Sequence, residues 1–374
     1  MEIPGYYFDP ATNRYFKGKK PEPPKVEVNI DVNTSIMFLT NIETGDYTTD
    51  KTESWDWDSP LRPSISISHP SVVLLDCRGD DIIVACDSSS LVDRFTVGTK
   101  DISHHIIPTS LFGRSDTVSS IELNPVRSNV VGCSLFGGAD GGGSGVVFDK
   151  TSGSSALTEY SRGSVWSFKW HPSGSSYAIG GTGRAYLVDV DHYKSVATGP
   201  GIWTQKNDVF CQDFDRMGNV LLNGCRDGTV RSTDLRGKPS DMTEMYRDGK
   251  KRHYSATRVK LMRDERTVLV GYKDTTVLLY DRRNGNKICQ FGKENPLVES
   301  TVFTTDQEED FLFVGGHAKV IQVYEIESGR HINTLGPFKR DIRVLQSAVH
   351  RKSEGLWFTP DERKLGFWNF FPSA

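Results

Sequence analysis

The chain has 374 residues, 36% hydrophobic and 25% charged, with 45 Lys and Arg against 48 Asp and Glu for a formal net charge of -3. That length exceeds one ordinary core of ~100–200 residues and suits a repeat architecture. The near-neutral balance excludes recruitment of nucleic acid or acidic membrane by bulk charge, no apolar run approaches the ~20 residues of a membrane span, and the first residues lack the apolar core of a secretory signal.

Six cysteines, none in a Cys-x-x-Cys pair, fall mostly in strand-like runs, so they read as small apolar residues of a reducing compartment, nucleus or cytoplasm. Residues 1–25 form an arm set apart from the rest. Pro4–Phe16 places two aromatic groups, Tyr6, Tyr7 and Phe8, then Tyr15 and Phe16, around an Asp-Pro turn. A Pro- and Lys-rich linker follows, which cannot build a core. The arm is either a tail that docks on the main body or a ligand-like segment for a partner.

Residues 26–374 read as one repeat domain. Ile36–Thr40 is a first strand. Seven strand-turn-strand units then run from Val72 to Phe370, with six and eight as the alternative counts that strand boundaries leave open. The last unit ends after its third strand. A four-stranded unit then lacks its outer strand, and the strand near 36–40 is expected to supply it and close the ring.

The fourth and fifth units carry the strongest signal. Gly224–Arg236 and Gly271–Arg283 lie 47 positions apart and share six of thirteen residues, namely the Gly, Asp, Thr, Val, Asp and Arg at matching places. In each, an apolar run leads into a Gly/Asp turn and a second β-rich run ending in Asp. A period in the forties of this form predicts an all-β fold, a seven-bladed WD-repeat β-propeller with a short N-terminal aromatic arm.

Candidate chemistry is sparse. The glycine cluster 137–145 lacks a phosphate-loop pattern and reads as a hairpin tip. His171, His317 and the pair His104-His105 have no ligand or triad partners at motif spacing and read as structural. No catalytic residue, metal or cofactor is expected. The acidic run Asp306–Asp310 reads as a solvated loop. Arg247, Lys250, Lys251 and Arg252, flanked by tyrosines, form a basic connection that is either solvated or a contact for an acidic peptide or nucleic acid. The sharpest site is Asp234-x-Arg236 with Asp281-x-Arg283, at the ends of third strands in neighbouring units. Both arginines should emerge on one face. The acidic residue recurs in other units but the Arg does not, which favours an interface over a generic turn staple.

At these residues the chain resembles the WD-repeat substrate receptors of cullin-four RING ubiquitin ligases, which carry a Trp-Asp-x-Arg box at the end of the third strand, often in two successive blades. Pro4–Phe16 strengthens the resemblance, since it is similar to the start of one member; it also resembles the aromatic octamers of some RNA-splicing proteins. The resemblance implies adaptor contact through Thr233, Asp234 and Arg236, and through Tyr280, Asp281 and Arg283, with neither copy holding Trp in first place. It implies a non-catalytic receptor that binds the large subunit of the damaged-DNA-binding complex, presents a substrate protein not named by the sequence, and is monomeric outside the complex. Membrane and nucleic acid are not expected partners. The alternative is a WD-repeat scaffold in an RNA-processing or chromatin complex.

Overall fold

The computed structural model describes residues 6–9, 14–17, 64–66, 72–78, 81–86, 91–97, 102–108, 117–137, 142–149, 154–159, 163–190, 202–203, 207–237, 242–246, 254–292, 301–316, 318–350, 353–361 and 364–370. The chain divides into two compact units, Met1–Thr49 and Asp50–Ala374, each described by itself. In the first, Tyr6–Asp9 and Arg14–Lys17 form an antiparallel hairpin with Tyr7 opposite Phe16 and Phe8 opposite Tyr15. The described residues of the aromatic arm are therefore a two-stranded ribbon.

The second unit carries seven four-stranded antiparallel sheets among the described residues. Six of them run in simple up-and-down order, consecutive strands lying side by side, and the seventh does so for its first three strands. We number them in chain order by their first strands: sheet 1 from Val72, sheet 2 from Val118, sheet 3 from Val165, sheet 4 from Val209, sheet 5 from Ala256, sheet 6 from Val302 and sheet 7 from Leu345. The first strands of sheets 1 to 5 pack side by side in order, that of sheet 6 packs on that of sheet 7, and that of sheet 7 packs on that of sheet 1; sheets 5 and 6 meet through Met262, Leu269 and Phe303. This is a β-propeller.

Sheet 7 takes its fourth strand from far upstream. Ser64–Ser66 pairs with Lys364–Asn369, Ile65 opposite Leu365. This strand holds the place expected for 36–40, a segment outside the described residues. Its position just before the first strand of sheet 1 explains the choice: the connector to Val72 is short, whereas a strand at 36–40 would need a long excursion. Trp357, Leu365 and Phe367 of sheet 7 pack with Ile82 of sheet 1, so the junction of the first and last sheets is an apolar core contact.

Recurring glycines set the spacing between sheets. Gly180, Gly224, Gly271 and Gly315 occupy one register position in the second strands of sheets 3 to 6, opposite Ser167, Cys211, Arg258 and Val302. A Cβ at Gly224 would lie 2.3 Å from Cys211 Sγ, and at Gly180 it would lie 2.6 Å from Val209 of the next sheet. Only glycine admits this approach.

Polar side chains lace sheet to sheet. Asp76 accepts the Leu123 N–H at 2.7 Å, Glu122 the Trp170 N–H at 2.6 Å, and Asp213 the Leu261 N–H at 2.8 Å. Sheet 3 has Lys169 at the corresponding position, and its ammonium bridges Glu122 at 2.8 Å and Asp213 at 3.4 Å. Burial alone would lower the Lys169 pKa, but the two carboxylates outweigh it and hold the ammonium charged. Burial raises the Glu122 pKa against the pull of Lys169.

Candidate functional site

The twin stretch folds into two superimposable hairpins. Asp227 Oδ1 accepts the N–H and hydroxyl of Thr229 at 3.0 and 2.6 Å; Asp274 Oδ1 accepts those of Thr276 at 3.2 and 2.7 Å. Gly228 and Thr275 fill the same left-handed turn position, with φ of 80° and 72°. The shared Gly, Asp, Thr and Val thus build one turn twice.

The third strands, Val230–Asp234 and Val277–Asp281, end where Asp-x-Arg begins. Asp234 Oδ1 accepts the Arg236 N–H at 3.0 Å and Nε at 2.9 Å, while Oδ2 accepts Nη2 at 2.6 Å. Asp281 repeats the pattern on Arg283 at 2.8, 3.2 and 2.9 Å. The Arg236 side chain, then its backbone N–H, pulls the Asp234 carboxyl down to about 2, and Arg283 lowers Asp281 for the same reason. The arginine side chains remain 67% and 71% exposed. Each guanidinium is held side-on by its own Asp, and its Nη1 edge stays available to a partner.

The preceding box positions behave differently. Thr233 is 1% exposed and Tyr280 3% exposed, with the Tyr280 hydroxyl 3.0 Å from that of Tyr272. Both are buried, whereas the half-buried Asp that follows each of them points to its arginine. Of the other site residues read from the sequence, Tyr6, Tyr7, Phe8, Tyr15 and Phe16 lie in the hairpin of the first unit, and Arg247, Lys250, Lys251 and Arg252 lie outside the described residues.

Arg236 and Arg283 share their face with the turns between first and second strands. Leu235 N–H bonds to Asn219 O, and Arg282 N–H to Arg266 O, tying the two turns of each sheet together. Arg216, Met217, Arg263 and Arg266 are exposed there, with Met217 at 73%. These were not singled out in the sequence; their signal was position, at the tip of the first turn of each unit. The acidic run reading needs correction. Asp306 is buried and accepts the Phe311 N–H at 2.8 Å, and Glu309 accepts the Arg263 N–H at 2.7 Å and pairs with Lys260 at 3.0 Å. Two members of the run are structural acceptors, because buried backbone N–H groups must find partners: Asp306 serves its own turn and Glu309 the neighbouring sheet. His171 is a turn residue, bonded to Ser173 Oγ at 2.7 Å and Gly218 O at 3.1 Å. Among the described residues no group of three or more His, Cys, Asp or Glu could hold a metal ion. No described helix is long and apolar enough to cross a membrane.

Comparison with known proteins gives two kinds of likeness. Proteins named DDB1- and CUL4-associated factor 4 are similar to this chain, the human one 24% identical over 180 residues and the bovine one 23% identical over 181. In both cases 46% of this chain is covered. The matched part spans about a third of each relative, 34% of its length, so the relationship is distant and partial. A family model of β-propellers described as Nucleolar protein 10-like, N-terminal domain, matches residues 169–373, which include Lys169, both Asp-x-Arg pairs and the first three strands of the last sheet. That match covers more than half of the 374 residues, and the chain belongs to this β-propeller family.

Proposed function

We propose that this chain is a non-catalytic substrate-recognition subunit of a cullin-four RING ubiquitin ligase. It docks on the damaged-DNA-binding adaptor with the face that carries Arg236 and Arg283, and ubiquitin transfer belongs to other subunits. The observation that carries the reading is the pair of exposed guanidinium forks at equivalent positions of adjacent sheets, each pre-oriented by its own Asp. Arginine and methionine are enriched in interface cores, and Met217 is exposed in a turn of the same face. Pre-orientation lowers the side-chain entropy lost on docking. Thr233 and Tyr280 support the strand ends from inside, and Asp234 and Asp281 aim the forks. The names of the two relatives point the same way. The protein works in the nucleus, the cytoplasm or both, as a monomer outside the complex.

The test is a pull-down of the adaptor with wild type and with Arg236→Ala/Arg283→Ala, each verified as folded by thermal melt. Wild type should bind and the double variant should not. Equal binding by both, or by neither, would sink the reading. In that case the alternative role, a WD-repeat scaffold in an RNA-processing or chromatin complex, moves ahead; the nucleolar family description gives it weak support. The hairpin Tyr6–Lys17 and the basic segment with Arg247, Lys250, Lys251 and Arg252 would then be the first regions to test.

A further inference from the structure

The face opposite the Asp-x-Arg pairs holds a second, asymmetric feature. It is built from turns between second and third strands, each bonded to the loop that enters a first strand. Phe136 O accepts the Val165 N–H, Asp208 O the Arg226 N–H, Ser255 O the Lys273 N–H, and Lys319 O the Phe338 N–H.

At this face, sheets 1 to 5 carry a β-bulge at the same place in the first strand. The inserted residue is Val73, Ser119, Trp166, Phe210 or Thr257. Sheets 6 and 7 pair their first two strands without such a shift at their start. A bulge re-aims one side chain, and bulges concentrate beside functional sites. In sheets 2 and 5 the re-aimed side chain serves the backbone: Ser119 bonds to Val165 O at 2.8 Å and Thr257 to Gly271 O at 3.2 Å. In sheets 3 and 4 it is aromatic. Trp166 meets Phe136 edge-on at 4.6 Å and Phe210 at 4.9 Å, and all three rings are half-buried. Nothing in blade closure requires aromatic residues here, since neighbouring blades close with Ser and Thr. The buried Trp166 Nε1 has no hydrogen-bond acceptor in the structure, and an unpaired donor of this kind calls for an explanation.

The matching turns on this face, from sheet 4 to sheet 6, carry basic side chains. The Arg226 side chain is 68% exposed, and Lys273 and Lys319 are exposed in the matching turns of sheets 5 and 6. The acids of these turns are directed inward: Asp208 holds Gly183 N–H at 3.2 Å and Arg226 at 3.1 Å, Asp227 holds Thr229 and Arg231, and buried Asp274 holds Thr276. Among the described residues of these turns, the most exposed charges are therefore basic.

We propose that the Phe136–Trp166–Phe210 row, with Arg226, Lys273 and Lys319, is a docking site for an acidic peptide segment carrying an apolar anchor residue. The anchor packs on the row and the carboxylates face the three bases. A peptide fits better than RNA, because base stacking needs a free ring face, and Trp166 is flanked by rings on both sides. The proposal deepens the receptor reading by naming the class of target segment, and it rests on that reading only for calling the segment a substrate.

The test starts with random peptides displayed on phage and selected on the full chain. Enriched sequences should be rich in Asp and Glu around one aromatic or aliphatic residue. A synthetic copy should bind wild type in fluorescence polarisation. It should bind Phe210→Ala about thirtyfold more weakly, the loss of one aromatic anchor. Arg226→Glu/Lys273→Glu should weaken it comparably; this variant changes exposed side chains and leaves the aromatic row intact. Absence of enrichment, selection of basic or uncharged peptides, or binding that both variants retain would overturn the proposal. So would capture of poly(U) RNA at physiological salt in place of peptide. These variants should still pull down the adaptor, and Arg236→Ala/Arg283→Ala should still bind the peptide. If the adaptor ignores wild type while the peptide site behaves as stated, the receptor reading fails and the site stands.

Discussion

Replacing Lys169 with methionine keeps the length and packing of the side chain and removes the charge that joins three sheets. The ammonium lies 2.8 Å from Glu122 and 3.4 Å from Asp213. At an effective dielectric of about 20 these contacts carry roughly 6 and 5 kcal/mol of gross attraction. Most of that is offset by the desolvation of three charges. Removing one member of a buried pair costs ~3–5 kcal/mol; the Lys169 side chain is 31% exposed, so solvent screening reduces the expected loss to about 2–3 kcal/mol at pH 7.5. The loss should depend on pH with a defined sign. Burial already raises the Glu122 pKa, and losing Lys169 raises it further. A carboxyl whose folded pKa exceeds its unfolded value holds its proton more tightly in the folded state. Its penalty is therefore full above the folded pKa and fades as the pH falls through it. Urea unfolding of wild type and Lys169→Met at pH 7.5 and 5.5 measures both effects. A deficit under about 0.5 kcal/mol at pH 7.5, within the range of ordinary surface changes, or one that grows as pH falls, would refute the reasoning.

Three further expectations follow from the twin hairpins and the core. Thr275→Gly should stabilise the protein by about 1 kcal/mol in urea, because a β-branched residue at φ 72° is strained where its counterpart Gly228 is not; a loss of stability would show that the Thr275 side chain makes a contact worth more than the strain. Asp227→Ala should cost more than Asp274→Ala, by roughly 2 kcal/mol, since Asp227 also pairs at 2.9 Å with the buried Arg231. Equal losses would mean that this ion pair contributes nothing net. Burial pushes the Cys133 thiol up to about 12 and Cys225 to about 11, and raises Cys211 as well. None of the three should react with iodoacetamide in the native protein at pH 8, and all should react in guanidinium, as mass spectrometry of peptides would report; rapid native labelling of any of them would contradict the burial.

The sequence by itself determined what is local and repeated. The matching of Gly224–Arg236 with Gly271–Arg283 carried the turn chemistry, because Asp bonds a Thr two residues on and glycine stands where a Cβ has no room. It also located Asp-x-Arg at strand ends, since strand length and turn position are short-range properties. The tertiary structure decided everything that depends on which strands become neighbours. The pairing of Ser64–Ser66 with Lys364–Asn369 joins segments 300 positions apart, and no local pattern distinguishes that strand from another short β-rich run upstream. Asp306 became a backbone acceptor inside its own turn, whereas the same change for Glu309 depended on a contact between sheets. Thr233 and Tyr280 followed the same logic, with alternation against the core burying them beside exposed arginines. The aromatic row is the clearest case. Phe136, Trp166 and Phe210 are dispersed over three units of the chain, and only the stacking of sheets 2, 3 and 4 brings the rings within 5 Å. Period and turn residues are written in the chain because they act over a few bonds; the face a residue shares is set by ring closure, which acts over all of them.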